Sequence, residues 1–183
     1  MTKKVLILMG SPRTNGNTNI LSEQFKKGAQ ETKAEVEIIK LQEKEINYCL
    51  GCNECFKQKN DYCLKQTDDV NEILDKMEEA NIIVFATPVY FYTMSGQLKT
   101  LIDRTVPRYM KIQNKEIYYI LAAATSDKST LERTVEEFRG YLACLPNPQE
   151  KGIIYGYNAW EIGEINNTPA VEEAYFMGKN IQQ

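Results

Sequence analysis

Four cysteines fall within one fifteen-residue stretch: Cys49, Cys52, Cys55 and Cys63, in the run CLGCNECFKQKNDYC. Three share the spacing C-x2-C-x2-C, and the fourth follows after a gap of seven residues. Thiolates this close in sequence can converge on one soft metal centre. The triplet is the local pattern of a ligand loop for a [4Fe-4S] cluster, which takes four thiolates. Gly51 lets the backbone turn tightly between ligands. Structural zinc also accepts four cysteines, usually as two separated C-x2–4-C pairs. Four free thiols without metal are the third reading, and the residues alone leave all three open. The Cys-Pro that closes bacterial ferredoxin loops is missing, because Leu64 follows Cys63.

The remaining composition narrows the chemistry. The chain has no histidine. That excludes histidine triads, histidine-ligated metals and imidazole acid–base catalysis. No carboxylate pair is spaced for glycoside hydrolysis; Glu43, Glu45, Glu78-Glu79 and Glu136-Glu137 read as solvated positions. No side chain is therefore assigned as catalytic, and the reactivity is expected from a bound cofactor. The formal charge of −3 provides no electrostatic footprint for nucleic acid or an acidic membrane. Apolar runs such as Ile82 to Ala86 are far too short to span a bilayer. The start MTKKVLILMG lacks the longer apolar core of a signal peptide. The expected location is cytoplasmic, where thiols stay reduced and clustered cysteines serve metal or redox chemistry. Cys144 is read differently, as a small buried hydrophobe on a helix.

These residues must be positioned by a fold. At 183 residues and 43% hydrophobic content the chain suits one domain, 1–183, that needs no staple. Val5 to Met9 is a continuous apolar run, as expected of a central parallel strand buried on both faces. Further strands are predicted at 36–39, 82–86, 117–123 and 152–157. Helices are predicted at 17–30, from Asp68 or Asp69 through Met77, at 95–106, at 129–145 and after Thr168-Pro169. The cysteines lie in a long polar insertion at about 45–66, and a loop this long is usually functional. The alternation of strands and helices implies an α/β, three-layer, doubly wound parallel sheet of five strands in the flavodoxin-like order 2-1-3-4-5.

Two loops flank the switch point of such a sheet. The first, GSPRTNGNT at 10–18, leaves strand one and enters a helix. It has neither the Gly-Lys-Ser/Thr of a Walker A loop nor G-x-G-x-x-G. Its hydroxyls, side-chain amides and backbone N–H groups still form an anion site at a helix N-terminus, with Arg13 as a forked cation. The alternative is a polar turn with Asn17 or Thr18 as a helix cap. The second loop leaves strand three as ATPVYFYTM. Pro88 stiffens the exit, and Tyr90 and Phe91 offer flat surfaces for a planar ring, with backbone N–H groups near Val89 to Phe91 available to its nitrogens. Tyr92 and Met94 read equally well as core closure. Asp103-Arg104 reads as a surface or interhelix ion pair.

GSPRTNGNT at 10–18 and TPVYFYTMSGQLKTLIDR at 87–104 resemble the two signature segments of the NADPH-dependent FMN reductase family, and TPAVEEAYFMGKNI at 168–181 resembles its closing helix. With the cysteine loop, the sequence is most similar to the iron–sulfur flavoprotein subgroup. That resemblance implies that Ser11, Arg13, Asn15, Asn17 and Thr18 hold the FMN phosphate. Pro88, Val89, Tyr90 and Phe91 line the isoalloxazine, and Thr125 belongs to a third flavin-facing loop. It further implies an NAD(P)H or ferredoxin-like electron donor and a homodimer or homotetramer. The segment 156–164, with Trp160, departs from the family's Gly-rich version. The expected function is an FMN-dependent oxidoreductase; the alternative is a non-enzymatic electron carrier or redox sensor on the same site.

Overall fold

Five apolar segments extend because β-branched and aromatic side chains pack well on a pleated surface buried from both sides. In the computed structural model, which describes residues 2–181, they are β1 (Lys4–Met9), β2 (Glu35–Lys40), β3 (Ile82–Pro88), β4 (Glu116–Ala122) and β5 (Gln149–Gly156). All neighbours are parallel and the order is β2-β1-β3-β4-β5. The expected flavodoxin-like topology is the observed one.

Alternation along the strands sorts the core into two layers. Val5, Ile7, Val84 and Ile120 face α1 (Asn17–Glu31) and α6 (Ala170–Lys179). Leu6, Leu8, Phe85 and Tyr119 face α3 (Val70–Glu79), α4 (Gly96–Arg104) and α5 (Glu132–Leu142). On that second side Phe85, Tyr119 and Phe138 stack, with centroids 4.9 Å apart for the last two. On the first side α1 meets α6 backbone to backbone. A Cβ at Gly28 would lie 2.0 Å from the Tyr175 carbonyl oxygen, and one at Gly178 would lie 2.1 Å from that of Phe25. Only glycine fits there, and this contact fixes the helix whose N-terminus builds the site.

Three local expectations need correction. The predicted helix at 129–145 is a 3-10 turn over Lys128–Leu131 followed by α5, which ends at Leu142. Asp127 starts it by accepting from the Ser129 N–H at 2.9 Å. Leu131, Val135, Phe138, Leu142 and Leu145 are buried as expected, but Cys144 lies past the helix end and is exposed. It is not a core residue. Asp103 and Arg104 do enter ion pairs, as expected: Asp103 holds Lys99 at the surface at 2.6 Å, and Arg104 is buried against Asp68 at 2.6 Å. The cysteine insertion also carries a short helix, α2 (Glu54–Lys57). Among the described residues no helix is long and apolar enough to cross a membrane.

Candidate functional site

The site is built at the carboxyl ends of β1, β3 and β4, where chains diverge at the switch point of an open α/β sheet. After β1 the chain turns through Ser11, whose hydroxyl accepts from the Arg13 N–H at 3.2 Å. Asn15 takes a left-handed φ of 60°, which asparagine tolerates, and brings Gly16 to the head of α1. Gly16 caps α1 without a side-chain hydrogen bond, and no acidic residue lies in its first turn. The leading amides of α1 have no intrahelical acceptor, so they and the helix dipole favour an anion.

The exit from β3 is more constrained. The Thr87 hydroxyl accepts from the Ser95 N–H at 2.9 Å and donates to the Pro88 carbonyl at 2.8 Å. Residues 90–93 close a tight turn with reciprocal Tyr90–Thr93 backbone bonds of 3.0 Å. Its two central residues, Phe91 and Tyr92, have φ of 51° and 64°. A two-residue turn of this hand normally takes asparagine or glycine, so two aromatic residues there carry strain of about 1 kcal/mol or more each. Helix α5 holds the turn down. Thr134 donates to the Tyr92 carbonyl at 3.1 Å, and Glu137 accepts from the Met94 N–H at 2.9 Å. Glu137 is therefore a structural acceptor rather than a solvated position.

Between these walls lies a cavity of about 390 Å³, within the usual size of cofactor sites. Eight of the expected residues line it: Ser11, Arg13, Asn17, Thr18, Pro88, Val89, Tyr90 and Phe91. Two stand apart. Asn15 shapes the turn with its side chain outside, and Thr125 accepts from the Asp127 N–H at 3.1 Å to close its own turn. The Asn17 side chain is engaged elsewhere, donating to the carbonyls of Ala159 and Glu161 at 3.2 and 2.9 Å and accepting from the Gly163 N–H at 2.9 Å. It pins the 159–163 segment over the cavity and leaves only its main chain for a ligand. The Val89 and Tyr90 amides are likewise taken, by Ala122 O at 2.8 Å and Thr93 O at 3.0 Å. Of the three amides expected to meet a ring, that of Phe91 carries no internal bond among the described residues.

Sequence reasoning missed Ala122 to Ala124, Ala159 and Trp160, which complete the lining. The alanines sit at the end of β4, a position that strand order alone marks as ligand-facing. Their small side chains let a flat group approach the backbone. Trp160, the chain's one tryptophan, is exposed, and its carbonyl meets the Arg13 guanidinium at 3.5 Å.

The four cysteines of the insertion line a second cavity, of about 180 Å³, between the 49–66 segment and the end of α4. Among the described residues no group of three or more His, Cys, Asp or Glu side chains meets closely enough for one metal ion. In the wall of this cavity, Arg104 is bidentate to Asp68 at 2.6 and 3.1 Å. Burial alone would raise the Asp68 carboxyl pKa, but hydrogen bonds from Arg104, Asn47 and Val70 hold it below the ordinary carboxylate range.

Residues 3–149 match the profile of NADPH-dependent FMN reductases. The chain belongs to the NADPH-dependent FMN reductase family. Its cofactor is FMN, and its chemical class is flavin-dependent oxidoreduction. An iron-sulfur flavoprotein of Methanocaldococcus jannaschii is 37% identical over 139 residues, spanning 75% of this chain and 70% of the relative. An iron-sulfur flavoprotein of Methanosarcina thermophila is 29% identical over 177 residues, spanning 95% and 87%. Among solved structures, an NAD(P)H:quinone oxidoreductase of Methanothermobacter marburgensis superposes with a TM-score of 0.81 at 16% identity, covering 100% of this chain and 98% of that one. That likeness bears on the fold. The first cavity has the chemistry that an FMN requires: an uncapped helix start and a buried hydroxyl on one side, and a slot of alanine and aromatic walls on the other.

Proposed function

We propose that the chain works as one FMN-binding domain, 1–183, that takes electrons from NAD(P)H or a ferredoxin-like carrier and passes them to a small acceptor or a second carrier. The observation that carries this reading is the side-chain-free cap of α1 opening into a cavity that also takes in the strained aromatic turn. The Ser11 hydroxyl and the Asn17 and Thr18 amides hold the terminal phosphate, and Arg13 neutralises its outer charge. Pro88, Val89, Tyr90 and Phe91 form one wall for the ring, Ala122 to Ala124 the floor, and Trp160 the rim. The Phe91 amide remains to donate to an acceptor atom in the slot. Asn15 and Thr125 support the loops rather than touch the ligand. FMN, when bound, supplies hydride and single-electron chemistry; the protein orients it and excludes water from its inner face.

The cysteine cavity is read as the site of a four-iron cluster rather than a single zinc ion, because four cysteines line it and three of them share the C-x2-C-x2-C spacing instead of two separated pairs. Cys49, Cys52, Cys55 and Cys63 would be its ligands, and the group would exchange single electrons. The exposed Phe91, Trp160 and Ile162 around the flavin cavity fit a homodimer or homotetramer that covers the mouth. The reaction belongs in the cytosol, where the thiols stay reduced.

The test is anaerobic. Purified protein should bind FMN stoichiometrically, carry iron and acid-labile sulfide, and lose its flavin absorbance within seconds of NADPH addition. Protein that takes up no FMN would sink the reading. Bleaching only with reduced ferredoxin would favour the carrier role over the reductase role. Zinc without sulfide would replace the cluster with a structural ion.

A further inference from the structure

Two arginines four residues apart, Arg104 at the end of α4 and Arg108 in the turn beyond it, are almost wholly buried, at 2% and 3% exposure. Neither lines the flavin cavity. Both reach into the segment that carries the cysteines. Arg104 donates to the Asn47 carbonyl at 2.6 Å and to both Asp68 oxygens. Asn47 and Asp68 bracket the cysteines in sequence, so this one guanidinium ties the two stems of the loop together. Arg108 grips the loop elsewhere. Its Nε donates to the Asp61 carbonyl at 2.9 Å, and its guanidinium lies 4.4 Å from the centre of the Tyr62 ring.

The two differ in where their charge points. Arg104 lines the cysteine cavity beside Cys63; Arg108 and Asp68 do not. Cys63 and Arg104 share the wall of this cavity. Of the buried ion pair, the cation is therefore the member that borders the cysteine-lined space. A fixed cation in a poorly solvated wall acts strongly on charge that appears next to it.

We propose that Arg104 is the positioning and charge-compensating residue of the cysteine-lined cavity, closing the loop around the ligands and favouring the reduced form of the cluster held there. The inference rests on the reading that this cavity takes a four-iron cluster. One electron from the NAD(P)H or ferredoxin-like donor of the proposed function would add one negative charge there, with no bond made or broken, and a neighbouring guanidinium would stabilise that charge.

The experiment uses the full chain, reconstituted anaerobically with iron and sulfide, as native protein and as Arg104→Gln, Arg104→Lys and Arg108→Gln. Iron and sulfide content, the cluster midpoint potential from an EPR-monitored titration, and the rate of iron loss to a chelator are read together. FMN titration confirms that each variant is folded. Arg104→Gln should shift the reduction equilibrium at least tenfold toward the oxidised form, about 59 mV for one electron, and should lose iron faster. Arg104→Lys should keep the potential within threefold of native in equilibrium terms and still lose iron faster, because it has the charge without the fork. Arg108→Gln should speed iron loss and leave the potential alone. An Arg104→Gln protein with native potential and native iron loss overturns the inference. If that variant does not fold, native iron loss in Arg104→Lys overturns it instead. Native protein that binds FMN yet incorporates neither iron nor sulfide marks the different failure, that of the cluster reading itself.

Discussion

The two cavities differ in what holds their walls. The flavin cavity is enclosed by short connections leaving adjacent strands, and main-chain bonds set most of its shape: Gly10 to Ala86, Val89 to Ala122, Ala123 to Gly156 and Ala159 to Ala123. The sheet register carries straight into the loops. The cysteine cavity lies between the 49–66 segment and the end of α4, outside the sheet, and that segment has one short helix to order it. It exposes Leu50 and Phe56 and contributes little to the core. A polar loop of that length does not bury enough apolar surface to offset its ordering entropy. Charged side chains from α4 and beyond fix it instead. A site on strand ends inherits its geometry from the backbone, whereas a site on a long insertion needs specific side chains from its neighbours.

Breaking the side-chain clamp gives the largest expected effect. Asp68→Ala leaves Arg104 buried and unpaired, which should destabilise the protein by roughly 3–5 kcal/mol in urea unfolding. Asp103→Ala, at the exposed pair with Lys99, should cost no more than about 0.5 kcal/mol. Similar losses for the two variants would mean that the buried pair does not hold the insertion.

On the flavin side, Ser11→Ala removes one hydroxyl from a main-chain cradle. FMN affinity should fall by roughly 1–3 kcal/mol on titration, with iron content unchanged. Unaltered affinity would take Ser11 out of the phosphate site.

A smaller effect comes from the turn at 90–93. Phe91 is 96% exposed and left-handed, so Phe91→Asn sacrifices almost no packing and relieves strain. Thermal stability without FMN should rise by about 1 kcal/mol, and FMN affinity should fall. A gain in stability with full affinity would show that the strain does not serve the flavin.

The smallest effect concerns pH. The folded Asp68 carboxyl sits below its ordinary value. Its contribution is present above the unfolded value of about 3.9 and is lost as pH falls through the folded one. With no histidine to titrate, unfolding free energy should stay nearly flat from about pH 5 to 8. An acid limb that survives in Asp68→Ala would shift that role to other carboxylates.

Much of the flavin site was readable from the chain. The apolar run at 5–9 with Gly10-Ser11-Pro12 after it marks a strand feeding a loop, and Pro88 with its aromatics marks another. Local pattern decides such features. It did not show that the Asn17 amide faces the 159–163 segment, because a partner 142 residues away leaves no local trace. Nor did it mark Ala122 to Ala124, since alanine at a strand end looks like core. Cys144 was misread for a related reason: helical spacing continued past Leu142, but Pro146 and Pro148 follow and the chain had already left the helix.

By itself the sequence determined the five-strand alternation, the anion-binding character of residues 10–18 and the crowding of four thiols. Each follows from side-chain chemistry and spacing within one segment. Which of the loop's amides remain available, and that Arg104, in the wall of the cysteine cavity, joins Asp68, were decided only in the tertiary structure. Such choices depend on how groups distant in the chain share a limited set of hydrogen-bond partners once water is excluded.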